Sequence, residues 1–332
     1  MDALKRTTGR TNTLTDVQGI KVGCFTDPDI LSGVTVILPD ERATAGVDVR
    51  GGAPGTREIA LLDPVNLVQK VDAIVLSGGS SYGLSASTGV VDYLEEQGRG
   101  YMTRGGEVVP IVPSAILYDL YKGEKHGRIS SSSGYTACLN IGETLRPGNY
   151  GAGTGAMSGG LKGGLGSASE VTESGACVGA LAVVNSAGHT CDPSLGGFYV
   201  RDLELENEYG NLKRLPIALS VSYPSRGVAG ECTVLGVVAT DVCLSRVELT
   251  KVAQMAQDGI ARAVRPAHTM FDGDAVFALS TGKLEARGDR DELISRTGHI
   301  AADAVSRSIM HGVLSAYSVN GIESYNEKFG TT

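Results

Sequence analysis

The sequence predicts a layered fold that mixes strands with helices, of the α/β or α+β kind, and three observations lead there. Short β-branched runs separated by turn residues fill the first third, and two long segments later carry apolar residues at helical spacing. Hydrophobic residues make up 42% of 332 positions, enough for a packed core in one large domain or two small ones. With 46 glycines, no Trp and 5% aromatic residues, the chain should also hold many tight turns and close backbone approaches.

The first strands are expected at Ile20-Lys21-Val22, at 34–38 and at Val47-Asp48-Val49, which runs into Arg50-Gly51-Gly52. A fourth at 72–76 is closed by Ser77-Gly78-Gly79-Ser80-Ser81, and behind it Leu84, Val90, Val91 and Leu94 share a helical face. Further strands are expected over 108–112, 178–184, 217–221, 233–240 and 275–279. Few of these alternate strictly, so several should be buried on both faces. Ser245-Arg246-Val247-Glu248 has the order of a capping box, and Val252, Met255, Ala256, Ile260 and Ala263 repeat behind it until Pro266. A second helix over 291–314 puts Ile294, Ala301, Val305, Ile309 and Val313 on one stripe. The glycine-rich stretch 149–169 and the charged stretch 201–214 read as breaks, and Tyr223 to Glu231 reads as a loop feeding the strand that starts at Thr233.

Composition narrows the function. There are 29 basic against 37 acidic residues, a net charge of -8, which disfavours nucleic acid as a partner. No apolar stretch reads as a signal peptide or a membrane span, so the expected location is cytoplasmic. The six cysteines form no CxxC pair and the five histidines no HExxH, and neither a metal nor another cofactor is expected. His189-Thr190-Cys191-Asp192 lacks the second cluster a metal centre would need. Gly78 to Gly83 is not GxGxxG, 159–164 lacks the P-loop GK[ST], and neither is expected inside a strand-helix-strand unit, so nucleotide binding is set aside. No GxSxG elbow is present.

One junction carries chemistry. A threonine hydroxyl is a poor nucleophile alone, but a threonine at a chain start has its own α-amino group, of pKa near 7.7 to 8.0, as base. A loop followed by Thr233 at the head of a strand offers that order once the chain is cut. By itself this pattern also fits an ordinary strand-starting threonine.

Five separated segments resemble one family. They are Ser77-Gly78-Gly79-Ser80-Ser81-Tyr82-Gly83-Leu84, Ile116-Leu117-Tyr118-Asp119, Gly151-Ala152-Gly153 through Lys162-Gly163, Ala182-Val183-Val184-Asn185, and Thr233 through Val237-Val238-Ala239-Thr240-Asp241. In this order they are similar to the autoprocessed N-terminal-nucleophile amidohydrolases that include the L-aminopeptidase/D-esterases, the β-peptidyl aminopeptidases and the endo-type 6-aminohexanoate (nylon) oligomer hydrolases. His268-Thr269-Met270-Phe271-Asp272-Gly273-Asp274 resembles the nylon-oligomer branch in particular.

The resemblance implies an α+β fold, a four-layer αββα sandwich, in a single hydrolase domain over 1–332 that cuts itself into 1–232 and 233–332. It makes Thr233 the nucleophile of both self-cleavage and substrate hydrolysis. Lys162 would sit beside it, Asn185 would donate to the oxyanion or orient the nucleophile, and Tyr118 would donate to the oxyanion. Asp272 and Asp274, two residues apart, would face one side of an extended chain. One would bond the Thr233 hydroxyl or amine, the other would fix its partner, and a cation such as Lys162 would relieve their repulsion. The residue before the nucleophile departs from the family's usual Asn or Gly and is Cys232. Cys232 could itself be the new N-terminus after a cut at Glu231, but the register of Val238-Ala239-Thr240-Asp241 places Thr233 on the nucleophile.

The expected partner is a small or oligomeric amide, with linear amides such as 6-aminohexanoate oligomers first. Aminopeptidase or amidase action on N-terminal or β-amino-acid residues is the alternative, with Asp272 or Asp274 holding the substrate ammonium. Acyl transfer, as in ornithine acetyltransferase, and an unprocessed binding protein stay behind these. A homo-oligomer, a tetramer of cleaved heterodimers, is also implied.

Overall fold

The computed structural model describes residues 6–142, 145–218 and 232–330. Its strands in chain order are β1 (Ile20–Asp27), β2 (Ser32–Pro39), β3 (Ala43–Val49), β4 (Thr56–Arg57), β5 (Lys70–Val71), β6 (Ile74–Ser77), β7 (Tyr101–Met102), β8 (Val108–Val109), β9 (Ser114–Ile116), β10 (Met157–Ser158), β11 (Leu161–Lys162), β12 (Gly164–Val171), β13 (Cys177–Asn185), β14 (Thr233–Val242) and β15 (Ala275–Leu284). The helices are α1 (Ala86–Glu96), α2 (Ser131–Leu139), α3 (Arg246–Ala263), α4 (Arg290–Leu314) and α5 (Tyr325–Phe329). This is a mixed α+β fold built on two main sheets.

One sheet has five strands in the order β1-β2-β6-β9-β4, the other six in the order β12-β13-β14-β15-β3-β5. Strand alternation divides the six-stranded sheet between two cores. Val178, Ala180, Ala182, Val238, Val276 and Ala278 pack with α3 and α4. Their neighbours Leu181, Val183, Leu235, Val237 and Phe277 meet Ile37, Ile74 and Leu76 of the other sheet and Leu117 just beyond β9. On the far side of that sheet Val34, Val36 and Val75 pack with Ala86, Val90 and Leu94 of α1 and Ala137 and Cys138 of α2. Every residue of β2, β13 and β14 is therefore buried, which explains their unalternating sequences.

Three expectations need correction. The stretch read as a break at 149–169 contains most of β12, paired with β13 from Gly164 to Val171. Its glycines let α4 lie on the strand: a Cβ on Gly166 would sit 2.0 Å from the carbonyl oxygen of Ser308. The Gly78 to Gly83 turn does lie within a strand-helix-strand connection, because β6 and β9 pair in parallel with α1 between them. It still offers no phosphate cradle, since the Gly79 N–H donates to Asp119 Oδ1 at 2.6 Å and the Ser80 N–H to the Leu117 carbonyl at 2.9 Å. The strand expected over 217–221 is absent at Ile217 and Ala218, and the remaining three positions, like the loop from Tyr223 to Glu231, lie outside the described residues. The sequence pattern also missed α2, whose first turn Ser131-Ser132-Ser133 reads as loop by composition.

Candidate active site

β14 begins on Thr233, and Asn185, the last residue of β13, lies opposite it in the antiparallel register. By alternation both side chains share the face of Leu235 and Val183, at the end of the core between the two sheets. Both are buried, Thr233 at 3% exposure and Asn185 at 2%. Thr233 Oγ1 donates to the carbonyl oxygen of Cys232. The Gly273 N–H donates to that same carbonyl at 3.0 Å and reaches Thr233 Oγ1 at 3.2 Å.

Asn185 joins the two sheets. Its Oδ1 accepts the Met157 N–H at 2.9 Å and its Nδ2 donates to the Tyr118 carbonyl at 3.2 Å. Tyr118 itself is half-buried just beyond β9. Met157 in turn pairs across β10 and β11 with Lys162.

Lys162 is fully buried, and its three ammonium protons meet the carbonyls of Gly153, Ala156 and Gly163 at 3.0, 2.9 and 2.8 Å. Burial, reinforced by the charge of Lys122 and opposed by Asp119, pushes its ammonium down to about 7. Among the described residues it makes no hydrogen bond to Thr233. Asp119, also fully buried, is pushed up by desolvation to about 6.

Asp272 and Asp274 lie on either side of Gly273, each 1% exposed. Asp272 Oδ1 accepts the Ala187 N–H at 3.2 Å, while Oδ2 takes the Thr269 N–H at 2.9 Å and its hydroxyl at 2.5 Å. Asp274 Oδ1 accepts the Val234 N–H at 2.7 Å. Neither carboxylate bonds the Thr233 hydroxyl: Asp274 braces Val234, the next residue, and Asp272 braces Ala187 and Thr269. Burial and then the charge of Asp274 raise the Asp272 carboxyl, and backbone donors, with the Thr269 hydroxyl, oppose that where Lys162 was expected to.

His268 is the residue that sequence reasoning quoted without a role. Its N–H and Nδ1 lie 3.1 and 2.8 Å from Asp274 Oδ2. It holds φ +56°, a conformation few side-chain-bearing residues adopt. A histidine six positions before an Asp in a glycine turn was the available signal. The segment around His189 is structural in a different way: Asp192 accepts the N–H groups of Ser194, Leu195 and Ala218 at 2.8–2.9 Å.

Residues 12–326 match the model of peptidase family S58. The chain belongs to this family. It is 43% identical to an uncharacterized aminopeptidase of Mycobacterium tuberculosis, over 96% of this chain and 98% of that one. It is 31% identical to the 6-aminohexanoate-oligomer endohydrolase of a Kocuria species, over 84% of this chain and 78% of that one. Among solved structures, the L-aminopeptidase D-Ala-esterase/amidase of Ochrobactrum anthropi, a variant of the Ntn-hydrolase fold, superposes with a TM-score of 0.70 at 22% identity, covering 98% of this chain and 96% of that one. A Burkholderia β-aminopeptidase gives 0.72 at 23%, covering 97% and 93%. Membership of S58 makes the protein a hydrolase. Among the described residues no helix is long and apolar enough to cross a membrane.

Proposed function

We propose that this S58 hydrolase cuts its own Cys232–Thr233 bond and then uses Thr233 as an N-terminal nucleophile on amides. One observation carries the reading: at the head of a buried strand, the hydroxyl of Thr233 lies on the carbonyl it would attack, and a backbone N–H donates to that carbonyl. Attack by Oγ1 moves the acyl group of Cys232 from nitrogen to oxygen, and the hydroxyl proton passes to the departing amine. Water then releases the ester as the Cys232 carboxylate and the free hydroxyl. The new α-amino group serves as base for substrate, and Asn185, with Tyr118 beside it, orients the site.

Linear amides cut internally, such as 6-aminohexanoate oligomers, are the first substrate reading. It is supported by the burial of Asp272 and Asp274, each 1% exposed and bonded to backbone donors, which sets them as braces of the turn and not as open anchors for a substrate ammonium. Release of N-terminal residues is the second, favoured by the greater identity, 43% against 31%, to a protein named as an aminopeptidase. The three cores that separate helices, sheet, sheet and helices support the four-layer αββα arrangement, and we keep the tetramer of cleaved heterodimers as part of the same proposal.

Purified protein should run as two bands on a denaturing gel, with mass data starting the smaller at Thr233. A chain that stays intact and inactive after long incubation would end the mechanism. A product profile on 6-aminohexanoate oligomers beside amino-acid p-nitroanilides separates the substrates: internal cuts favour the first reading, single released residues the second.

A further inference from the structure

We infer that the backbone N–H of Gly273 is the oxyanion donor of this site, first for the Cys232 carbonyl during self-cleavage and then for the substrate carbonyl that takes its place. The inference rests on Thr233 being the nucleophile. In one respect the bond from Gly273 to Cys232 is an ordinary rung, because Cys232 and Asp272 form a parallel bridge just ahead of the β14–β15 ladder. What singles it out is its company. The same N–H is 3.0 Å from the carbonyl oxygen that must become negative and 3.2 Å from the oxygen that attacks.

The donor is held rigidly. Its own peptide unit has the Asp272 carbonyl accepting the Ala53 N–H at 2.8 Å, and two residues on the Asp274 carbonyl accepts the Arg50 N–H at 3.0 Å. The side chains of Asp272 and Asp274 fix the same turn to Ala187 and Val234. A dipole pinned from both sides needs little reorganisation when charge develops beside it. As Oγ1 bonds to the Cys232 carbon, the carbonyl electron pair moves to oxygen, and the N–H now shared between two acceptors turns to the anion. The C–N bond then breaks, the anion collapses to the ester, and the proton of the hydroxyl ends on the Thr233 amine. Once Cys232 leaves, the N–H faces the same side of Oγ1 and is open to a substrate carbonyl.

The position also demands glycine. A Cβ there would lie 2.7 Å from the Ala53 carbonyl oxygen and 2.9 Å from Thr233 Oγ1, too close for either to stay in place.

The test exchanges only the N–H. Cell-free translation of the full chain with glycolic acid in place of Gly273 puts an ester oxygen where the N–H was, and conversion to two fragments is followed by intact mass. The expected result is self-cleavage slowed by about 10²–10³-fold, the usual cost of losing one oxyanion donor, with the circular dichroism spectrum of the parent. A matched ester at Val276, which removes an N–H within β15 and away from the reacting atoms, measures the cost of a lost backbone N–H alone. Cleavage of the glycolate chain at the parent rate, or equal slowing by both esters, overturns the inference while leaving Thr233 as nucleophile. An unsubstituted chain that never cuts overturns the nucleophile reading and this inference with it.

Discussion

In the self-cleavage we propose, the attacking atom is the side-chain oxygen of Thr233, and the attacked carbon belongs to the backbone of the residue before it. Cys232 therefore enters only through its carbonyl, and its thiol has no part in the acyl shift. Thr233→Ala should give a folded, uncut and inactive chain, whereas Cys232→Ala should still cut, both read by intact mass. The opposite pair of results would move the nucleophile to Cys232. Asp274 acts one residue further along, through the Val234 N–H and through His268. Asp274→Ala leaves that buried N–H without an acceptor, a loss of about 1–3 kcal/mol, and should slow self-cleavage at least tenfold. Asp274→Asn keeps an oxygen for Val234 and should recover part of both losses. Equal cleavage rates for the two variants would remove the positioning role. The residue types of this site were legible, since the six quoted segments contain all of them but Cys232. Their contacts were not, because Lys162 turns to three carbonyls and the two carboxylates to backbone N–H groups supplied by distant segments.

Among the elements, α3 was readable to the residue. Ser245 and Glu248 form the capping box that their spacing predicts, a bond pattern closed within four residues and so independent of the rest of the fold. Ser245→Ala should lower stability by about 1 kcal/mol, measured as a fall in denaturation midpoint with unchanged slope. β12 is the opposite case. Its glycines say turn to any local reading, yet they are chosen by α4, which comes too close for a side chain. Gly166→Ala should cost about 1–3 kcal/mol, the same measurement applying. A change within a few tenths would show that the helix can move aside.

Across the whole molecule, two fully buried ionisable groups near the sheet ends tie stability to pH with opposite signs. Lys162 falls from an ordinary 10.5 to about 7, so between those values the unfolded chain binds more protons than the folded one, and stability rises with pH. The slope from this group cannot exceed about 1.4 kcal/mol per pH unit. Asp119 rises from 3.8 to about 6, so the folded chain binds more protons over that window. The stability it contributes is full below 3.8 and is lost as pH climbs through about 6. Denaturation of the Thr233→Ala chain at pH 7 and 9.5, against the same chain carrying Lys162→Met, isolates the first effect. The double variant should gain less stability on going to the higher pH, and equal gains would mean that Lys162 is not held in the low-pKa state.

Sequence by itself determined the mixed layered class, the buried central strands, the two long amphipathic helices, the family and the position of Thr233 at a strand head. Those properties live in local periodicity, capping chemistry and the order of short motifs along the chain, each of which is written within a few residues. Tertiary structure decided the rest: that a glycine run is a strand, that Lys162 is dry, that His268 belongs to Asp274, and that the Gly273 N–H falls on the carbonyl before Thr233. The first and the last depend on partners far along the chain that only the packing of sheets and helices brings together; the other two join residues no more than nine apart, but burial and the path of the turn decide them.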